Sequence, residues 1–197
     1  QMTFVIGITG GIGSGKSTFS KKLIEKGYRV HDSDKEVQSI YKKPTKDFIK
    51  LLNKIGLAKS INKNNINKKI IAKNIFQNPE TKQKLERYIF NIVREKRSRF
   101  IKSEKKKKTN KIFIDVPLLF ENNLDNIFDE IICIIASRNK RYERLKAKKR
   151  ITKNLFKNIL KSQTSDRVRK ERADRIIYNN STKKSYLSKI NMFIKGL

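Results

Sequence analysis

The stretch VIGITGGIGSGKST, residues 5–18, holds five of the chain's eight glycines between Gly7 and Gly15. They stand directly after an apolar run and directly before a lysine. An apolar run bounded by glycine predicts a buried strand over Thr3–Thr9. The period from Lys16 to Lys26, with Phe19, Leu23 and Ile24 on one face, predicts a helix that Gly27 ends. Gly10 to Ser17 fits G-x-x-x-x-G-K-[ST], the phosphate-binding P-loop. Glycines allow positive φ and let the main chain approach an oxygen-rich ligand closely. The turned loop gathers backbone N–H groups into an anion nest at a helix N-terminus. Lys16 can reach the β- and γ-phosphates of a nucleotide, and the Ser17 hydroxyl can ligate Mg²⁺. Gly11, Ile12, Gly13, Ser14, Gly15, Lys16, Ser17 and Thr18 are therefore the expected nucleotide site. The rival reading, a glycine turn with an accidental lysine, does not explain the strand before it and the amphipathic helix after it.

The rest of the chain alternates strand and helix patterns, which predicts an α/β fold with a parallel sheet of about five strands covered on both faces. YRVHDSD (28–34) reads as a second strand ending in two carboxylates, followed by a helix from Lys35 to Tyr41. Residues 42–110 show only helical periodicity, in DFIKLLNKI, KKIIAKNIF and TKQKLERYIFNIVREKRSRFIK, and read as a helical insertion without strands. KIFID and DEIICIIAS restore strands; Arg138 to Ser165 is basic and helix-patterned. ADRIIYNN reads as a last strand, and Thr182 to Lys195 as a closing helix. The expected organisation is a core of 1–41, 111–140 and 163–197, an inserted acceptor domain over 42–110, and a lid over 141–162.

Charge narrows the function classes less than its size suggests. The chain has 49 Lys and Arg in 197 residues and a formal charge of +31. A nucleic-acid binder concentrates such charge in a patch. Here lysine is spread along the chain, and only KSEKKKKTNK (102–111) is dense. The charge reads as a compositional habit that would still draw in a polyanionic substrate, and nucleic acid is not expected as a partner. Phe4 to Ile8 is too short for a signal peptide or a membrane span. Cys133, alone within EIICIIAS, reads as a buried structural thiol, in keeping with a reducing cytoplasm.

A P-loop leaves kinase, GTPase and ATPase open. The sequences NKKI and NKRY lack the aspartate of a guanine-reading N-K-x-D, and large ATPases need a longer chain. A short P-loop chain with a helical insertion and a basic segment near its C-terminus points to a small-molecule kinase. TGGIGSGKST with HDSD, IDVPLLFENNL, and ERLKAKKR followed by a glutamine and ADRIIYNN together resemble the dephospho-CoA kinase family over nearly the whole chain. The second of these is similar to that family's D-x-P-L-L-F-E, and the third to its Q-x-x-R-L-x-x-R…Q…A-D…I-x-N. The resemblance implies transfer of the ATP γ-phosphoryl group to the ribose 3′-hydroxyl of dephospho-CoA, the last step of coenzyme A synthesis. A kinase for another nucleoside or nucleotide is the nearest alternative, and a nucleic-acid-binding P-loop protein a more distant one.

Asp32 and Asp34 stand at the carboxyl edge of a parallel strand, where open α/β sheets place their ligands. The resemblance makes Asp34 the base for the acceptor hydroxyl or a holder of metal-bound water; its other reading is a helix N-cap. Asp115, ending KIFID, is placed to accept from Mg²⁺-bound water, with Ser17 as the metal's other protein contact. Pro117, Leu118 and Leu119 would be core by composition, and the resemblance makes them an apolar wall against the acceptor. Glu121 reads as a helix-start residue or a polar contact. Of the basic lid residues Arg141, Arg144, Lys148 and Arg150, Arg144 matches the family's first lid arginine and would brace charge on the transferring group. Asn179 would lie near the adenine. Lys148 stands where the family has a second lid arginine and lacks the bidentate fork. Phe90-Asn91 replaces its His-Pro, Ile55-Gly56 its Phe-Gly, Asn64-Asn65 its Asp-Gly, and Gln38 its arginine. These departures cluster on the acceptor side. Oligomeric state is left open, with a monomer as the simplest case.

Overall fold

Strand β1 (Phe4–Gly10) is buried along almost its whole length because it lies at the centre of a five-stranded sheet. The computed structural model describes residues 2–63, 65–148 and 151–197. The chain continues through α1 (Lys16–Glu25), β2 (Arg29–Asp32), α2 (Ser33–Lys42) and α3 (Lys46–Lys54). A short hairpin, β3 (Ile61–Asn62) and β4 (Asn65–Ile66), precedes α4 (Lys68–Gln77) and the long α5 (Pro79–Lys106). Then follow β5 (Lys111–Asp115), β6 (Glu130–Ile135), α6 (Arg138–Ala147), α7 (Lys153–Ser162), α8 (Asp166–Arg172), β7 (Arg175–Tyr178) and α9 (Lys183–Lys195). The sheet order is β2-β5-β1-β6-β7, and every pairing in it is parallel.

Two compact units divide this chain: residues 1–32 with 101–197, and residues 33–100. In the first, side chains alternate across the sheet, so Ile6 and Ile8 of β1 face one layer and Val5 and Gly7 the other. Ile6, Ile8, Phe113, Ile132 and Ile134 pack with Phe19 and Leu23 of α1 and with Tyr186, Ile190 and Ile194 of α9. On the opposite side Gly7 leaves room for Phe128 and Leu119, whose atoms lie 2.9 and 3.1 Å from where its Cβ would be. Helices on both faces of the sheet make the three layers of a P-loop α/β fold. Burying Phe19 and Leu23 completely stabilises α1 on the sheet by about 1.5–3 kcal/mol each.

The unit 33–100 has its own core of Ile40, Phe48, Leu52, Leu57, Ile71, Leu85 and Val93. Phe48 stacks on Tyr88 at 5.6 Å between centroids and meets Tyr41 edge-on at 5.4 Å. The Thr45 hydroxyl accepts from the Phe48 amide at 3.2 Å and so caps α3. This core takes in α2, so the unit starts at Ser33, and α5 runs across its end at Phe100.

Three local expectations need correcting. Residues 42–110 do contain strands: Ile61 and Asn62 pair antiparallel with Ile66 and Asn65. Two-residue strands are too short to show a period of two. Ile24 is 45% exposed, because the buried stripe of α1 is completed by Ser20 rather than by Ile24. Ser33 and Asp34 belong to α2 and not to β2, which ends at Asp32. Asn64 and Arg150 lie outside the described residues. No described helix is long and apolar enough to cross a membrane.

Candidate active site

The glycine loop joins the end of β1 to the start of α1, and two of its glycines are there for their backbone angles. Gly13 has φ 74° and Gly15 φ 104°, in the region that side chains disfavour. A Cβ on Gly15 would also lie 2.3 Å from the Asn179 amide nitrogen. Gly15 has no side chain with which to cap α1, so the helix's first N–H groups and the positive end of its dipole are left for an anion.

What turns the loop amides inward is a set of donors that hold its carbonyls from behind. Arg141 Nε donates to the Ile12 carbonyl at 2.7 Å, and Arg144 Nη1 to that of Gly13 at a longer 3.5 Å. Asn179 Nδ2 donates to the Ser14 carbonyl at 2.8 Å, and the Tyr186 hydroxyl to that of Gly15 at 3.1 Å. Four consecutive carbonyls are thus bonded by donors from outside the loop, and that of Gly15 also accepts from the Thr18 and Phe19 amides at 3.0 and 3.3 Å. In a planar trans peptide the next N–H points the opposite way, so the amides of Gly13, Gly15 and Lys16 turn to the concave side. The Ser14 amide instead closes a turn on the Gly11 carbonyl at 3.0 Å. The Ile12 amide donates to Gln163 Oε1 at 3.2 Å.

Lys16, 9% exposed, forms an ion pair with Asp115, which ends β5 and is 2% exposed. The Ser20 hydroxyl, one turn along α1, donates to the other Asp115 oxygen at 2.6 Å. Parallel register sets Asp32 beside Asp115 on neighbouring strands. Burial lifts the Asp115 carboxyl above its ordinary range and Asp32 adds to this, against the opposing pull of Lys16 and Ser20. The Asp115 carboxylate and the Ser17 hydroxyl are hard oxygen donors of the kind that would suit a magnesium ion. Ser17 is exposed and Thr18 half-buried on the first turn of α1.

Other residues singled out in the sequence fall in different places. Arg144, expected against the transferring phosphoryl group, bonds the Asn179 carbonyl at 2.7 Å and its side-chain oxygen at 2.9 Å. Asn179, expected near the adenine, is 4% exposed, and its whole amide supports the loop. Leu119 is fully buried in the core beside Gly7 and cannot offer a wall to a ligand, whereas Pro117 is half-buried and Leu118 is 39% exposed. Lys148 is exposed at the end of α6. Asp34 is exposed in the first turn of α2, in the unit 33–100. Glu121 makes a polar contact and does not start a helix: it accepts from the Thr164 amide at 2.7 Å and from Arg169 at 3.2 Å. Cys133 is fully buried, and burial pushes its thiol up to about 12, as an inert structural cysteine requires.

Sequence reasoning missed Tyr186 and Arg169, and took Gln163 only as the glutamine of the family pattern. Tyr186 reaches a carbonyl 171 positions away in sequence and Gln163 an amide 151 away, and no local pattern announces such partners.

A sequence model of the dephospho-CoA kinase family matches residues 4–185. A Fusobacterium nucleatum protein named dephospho-CoA kinase is 38% identical over 195 residues, which is 98% of each chain. Its namesake from Streptococcus mutans is 35% identical over 182 residues, 92% of this chain and 91% of its own. Among solved structures, a dephospho-CoA kinase from Campylobacter jejuni superposes with a TM-score of 0.73 at 24% identity, covering 98% of this chain and 96% of that one. A shikimate kinase from Acinetobacter baumannii gives 0.55 at 16% identity over 98% and 94% of the two chains, and so shares the fold. A phosphate loop tied from behind, a lysine–aspartate pair at the carboxyl edge of a parallel sheet, and a match over almost the full length agree: the chain belongs to the dephospho-CoA kinase family.

Proposed function

We propose that this chain transfers the γ-phosphoryl group of ATP to the ribose 3′-hydroxyl of dephospho-CoA, giving coenzyme A and ADP. One observation carries the nucleotide half: four loop carbonyls held outward, which turns the Gly13, Gly15 and Lys16 amides into a nest for phosphate oxygens. Family membership carries the acceptor half. The acceptor oxygen forms a bond to Pγ as the bond from Pγ to the β–γ bridging oxygen breaks, and ADP leaves with that electron pair. Lys16 sits where charge on the β- and γ-phosphates gathers, so its role is to neutralise that charge. Asp34 is assigned to the acceptor hydroxyl, whose proton it takes or whose attack it orients. Ser17 and Asp115 would hold magnesium, which when bound neutralises and orients the phosphates.

Residues 42–110 are assigned to the acceptor and residues 141–162 to the lid, with Lys148 at the end of α6. Arg144 keeps the loop in shape through Asn179 and Gly13 and lends its charge to the same edge of the site. The lysines of the insertion have a target in the pyrophosphate that the acceptor already carries. The same reading assigns the enzyme to the cytoplasm and expects no nucleic-acid partner, since lysine is spread along the chain rather than gathered in one patch.

The test is direct. Purified protein with ATP, magnesium and dephospho-CoA is expected to yield coenzyme A and ADP in equal amounts by mass spectrometry. No phosphorylated dephospho-CoA, together with turnover of a nucleoside or nucleoside monophosphate, would replace this reading with that of another kinase.

A further inference from the structure

We propose that Arg141 is a positioning residue for the nucleotide's phosphates, a buried guanidinium built against the glycine loop to fix the peptide at Ile12. The inference rests on the nucleotide reading above and gives a role to a side chain that stands where the family's Q-x-x-R-L-x-x-R has glutamine.

Arg141 is among the largest fully buried side chains of the protein, at 2% exposure. Burying an arginine is unfavourable unless its donors are met, and well-packed apolar side chains of similar volume usually serve stability as well or better. Its shortest bond is not to an acid but to the Ile12 carbonyl, at 2.7 Å. Its link to Asp166 is loose, 3.4 Å to each carboxylate oxygen. Asp166 in turn binds Arg169 at 3.0 Å, and Arg169 binds Glu121 at 3.2 Å. Two arginines and two carboxylates balance in charge here.

The loop itself is shaped to receive it. A Cβ on Gly11 would lie 2.3 Å from Arg141 Nη2 and 2.6 Å from Cζ, so the guanidinium lies directly on the Gly11 backbone. Gly11 is not among the glycines with positive φ, and G-x-x-x-x-G-K-[ST] leaves its position open. Space for Arg141 therefore explains the absence of a side chain there. Nη2 is buried and has no hydrogen-bond partner among the described residues. A residue retained only for packing would not keep an unmet donor in this place. Meanwhile the Ile12 amide is held by Gln163, so both polar ends of one residue are fixed by side chains from beyond β6. Fixing the Ile12 carbonyl outward sets the Gly13 amide inward, which is how a group behind the loop acts on phosphate.

The experiment compares wild type with Arg141→Met, which keeps length and packing but removes donor and charge. ATP and ADP affinity are measured by calorimetry, KM for each substrate and kcat by coupled assay, and Tm without nucleotide. The expected result is about tenfold weaker binding of ATP and ADP and a matching rise in KM for ATP. KM for dephospho-CoA is expected unchanged, and Tm at or near the wild-type value. A folded Arg141→Met protein that binds ATP within twofold of wild type overturns the proposal, as does an equal rise in both KM values. Should that variant fail to fold, Asp166→Asn decides: weaker ATP binding with unchanged KM for dephospho-CoA supports the proposal, and unchanged ATP binding overturns it. A wild-type protein that binds no ATP would instead sink the nucleotide reading itself, and this inference with it.

Discussion

Removing the Lys16 side chain separates its two duties. The ammonium pairs with a carboxylate that is 2% exposed and whose other oxygen already accepts from Ser20 at 2.6 Å. Lys16→Ala therefore strands a buried charge, and breaking a buried pair from one side costs about 3–5 kcal/mol. For a chain of this size that is a fall in Tm of roughly 6–20 °C, taking about 2–4 °C per kcal/mol. The deficit depends on pH with a fixed sign. Burial already lifts the Asp115 carboxyl, and loss of Lys16 lifts it further above its unfolded value of 3.8. Such a group destabilises as pH rises through its folded pKa and is harmless below the unfolded one. The variant should thus lose most stability at pH 7 and approach wild type in mild acid. Asp115→Asn in the same chain should restore much of the Tm at pH 7 without restoring turnover, because the charge that meets the γ-phosphate is still missing. Turnover should fall about 10²–10³-fold or more in both variants. The assay is thermal unfolding from pH 4 to 8 beside coupled kinetics. A Lys16→Ala protein with wild-type Tm across that range would refute the energetic coupling of the pair.

Gly15→Ala forces a Cβ to 2.3 Å from Asn179 Nδ2 at a φ of 104°, so ATP binding should weaken about tenfold or more and stability fall by about 1–3 kcal/mol; calorimetry at unchanged affinity would contradict the loop geometry. Glu104, 2% exposed, bears the penalty of burial, yet bonds from Lys107, Thr109 and Arg29 hold its carboxyl at about 2. Its contribution is complete above the unfolded value of 4.5 and is lost as pH falls through about 2. Glu104→Gln should therefore lower stability in urea by about 1–3 kcal/mol at pH 7 and by less in acid, and equal stability of the two proteins at pH 7 would remove that anchor. Asp34→Asn should reduce kcat about 10²–10⁴-fold at little change in ATP affinity, whereas a folded variant with normal kcat would leave Asp34 only its place in the first turn of α2.

The legible parts of this chain were those whose signal is local. The strand before the loop, the glycines at 13 and 15, Lys16, and the aspartate closing β5 each stand in a short window whose physics needs nothing from elsewhere. The five parallel strands followed from apolar runs such as EIICII, which are buried on both faces and need no alternation. Composition reads PLLF as core, which holds for Leu119 and not for Leu118, because the run has no period that separates a core leucine from an exposed one. Arg144 and Asn179 were found, but not the bonds that they make to each other and to the loop. A motif names a residue type, whereas the carbonyl that it binds is set by how α6 and the end of β7 come back to β1. Arg141 was counted among the basic residues of the lid, and only the assembled fold shows that it is buried while its neighbour Lys140 is exposed.

A crystal structure with an ATP analogue and magnesium tests the central claim most directly. The account predicts phosphate oxygens within hydrogen-bonding distance of the Gly13, Gly15 and Lys16 amides while the carbonyls of Ile12, Ser14 and Gly15 keep their bonds to Arg141, Asn179 and Tyr186. A nucleotide bound away from the loop, or bound there with those peptides flipped, would contradict it.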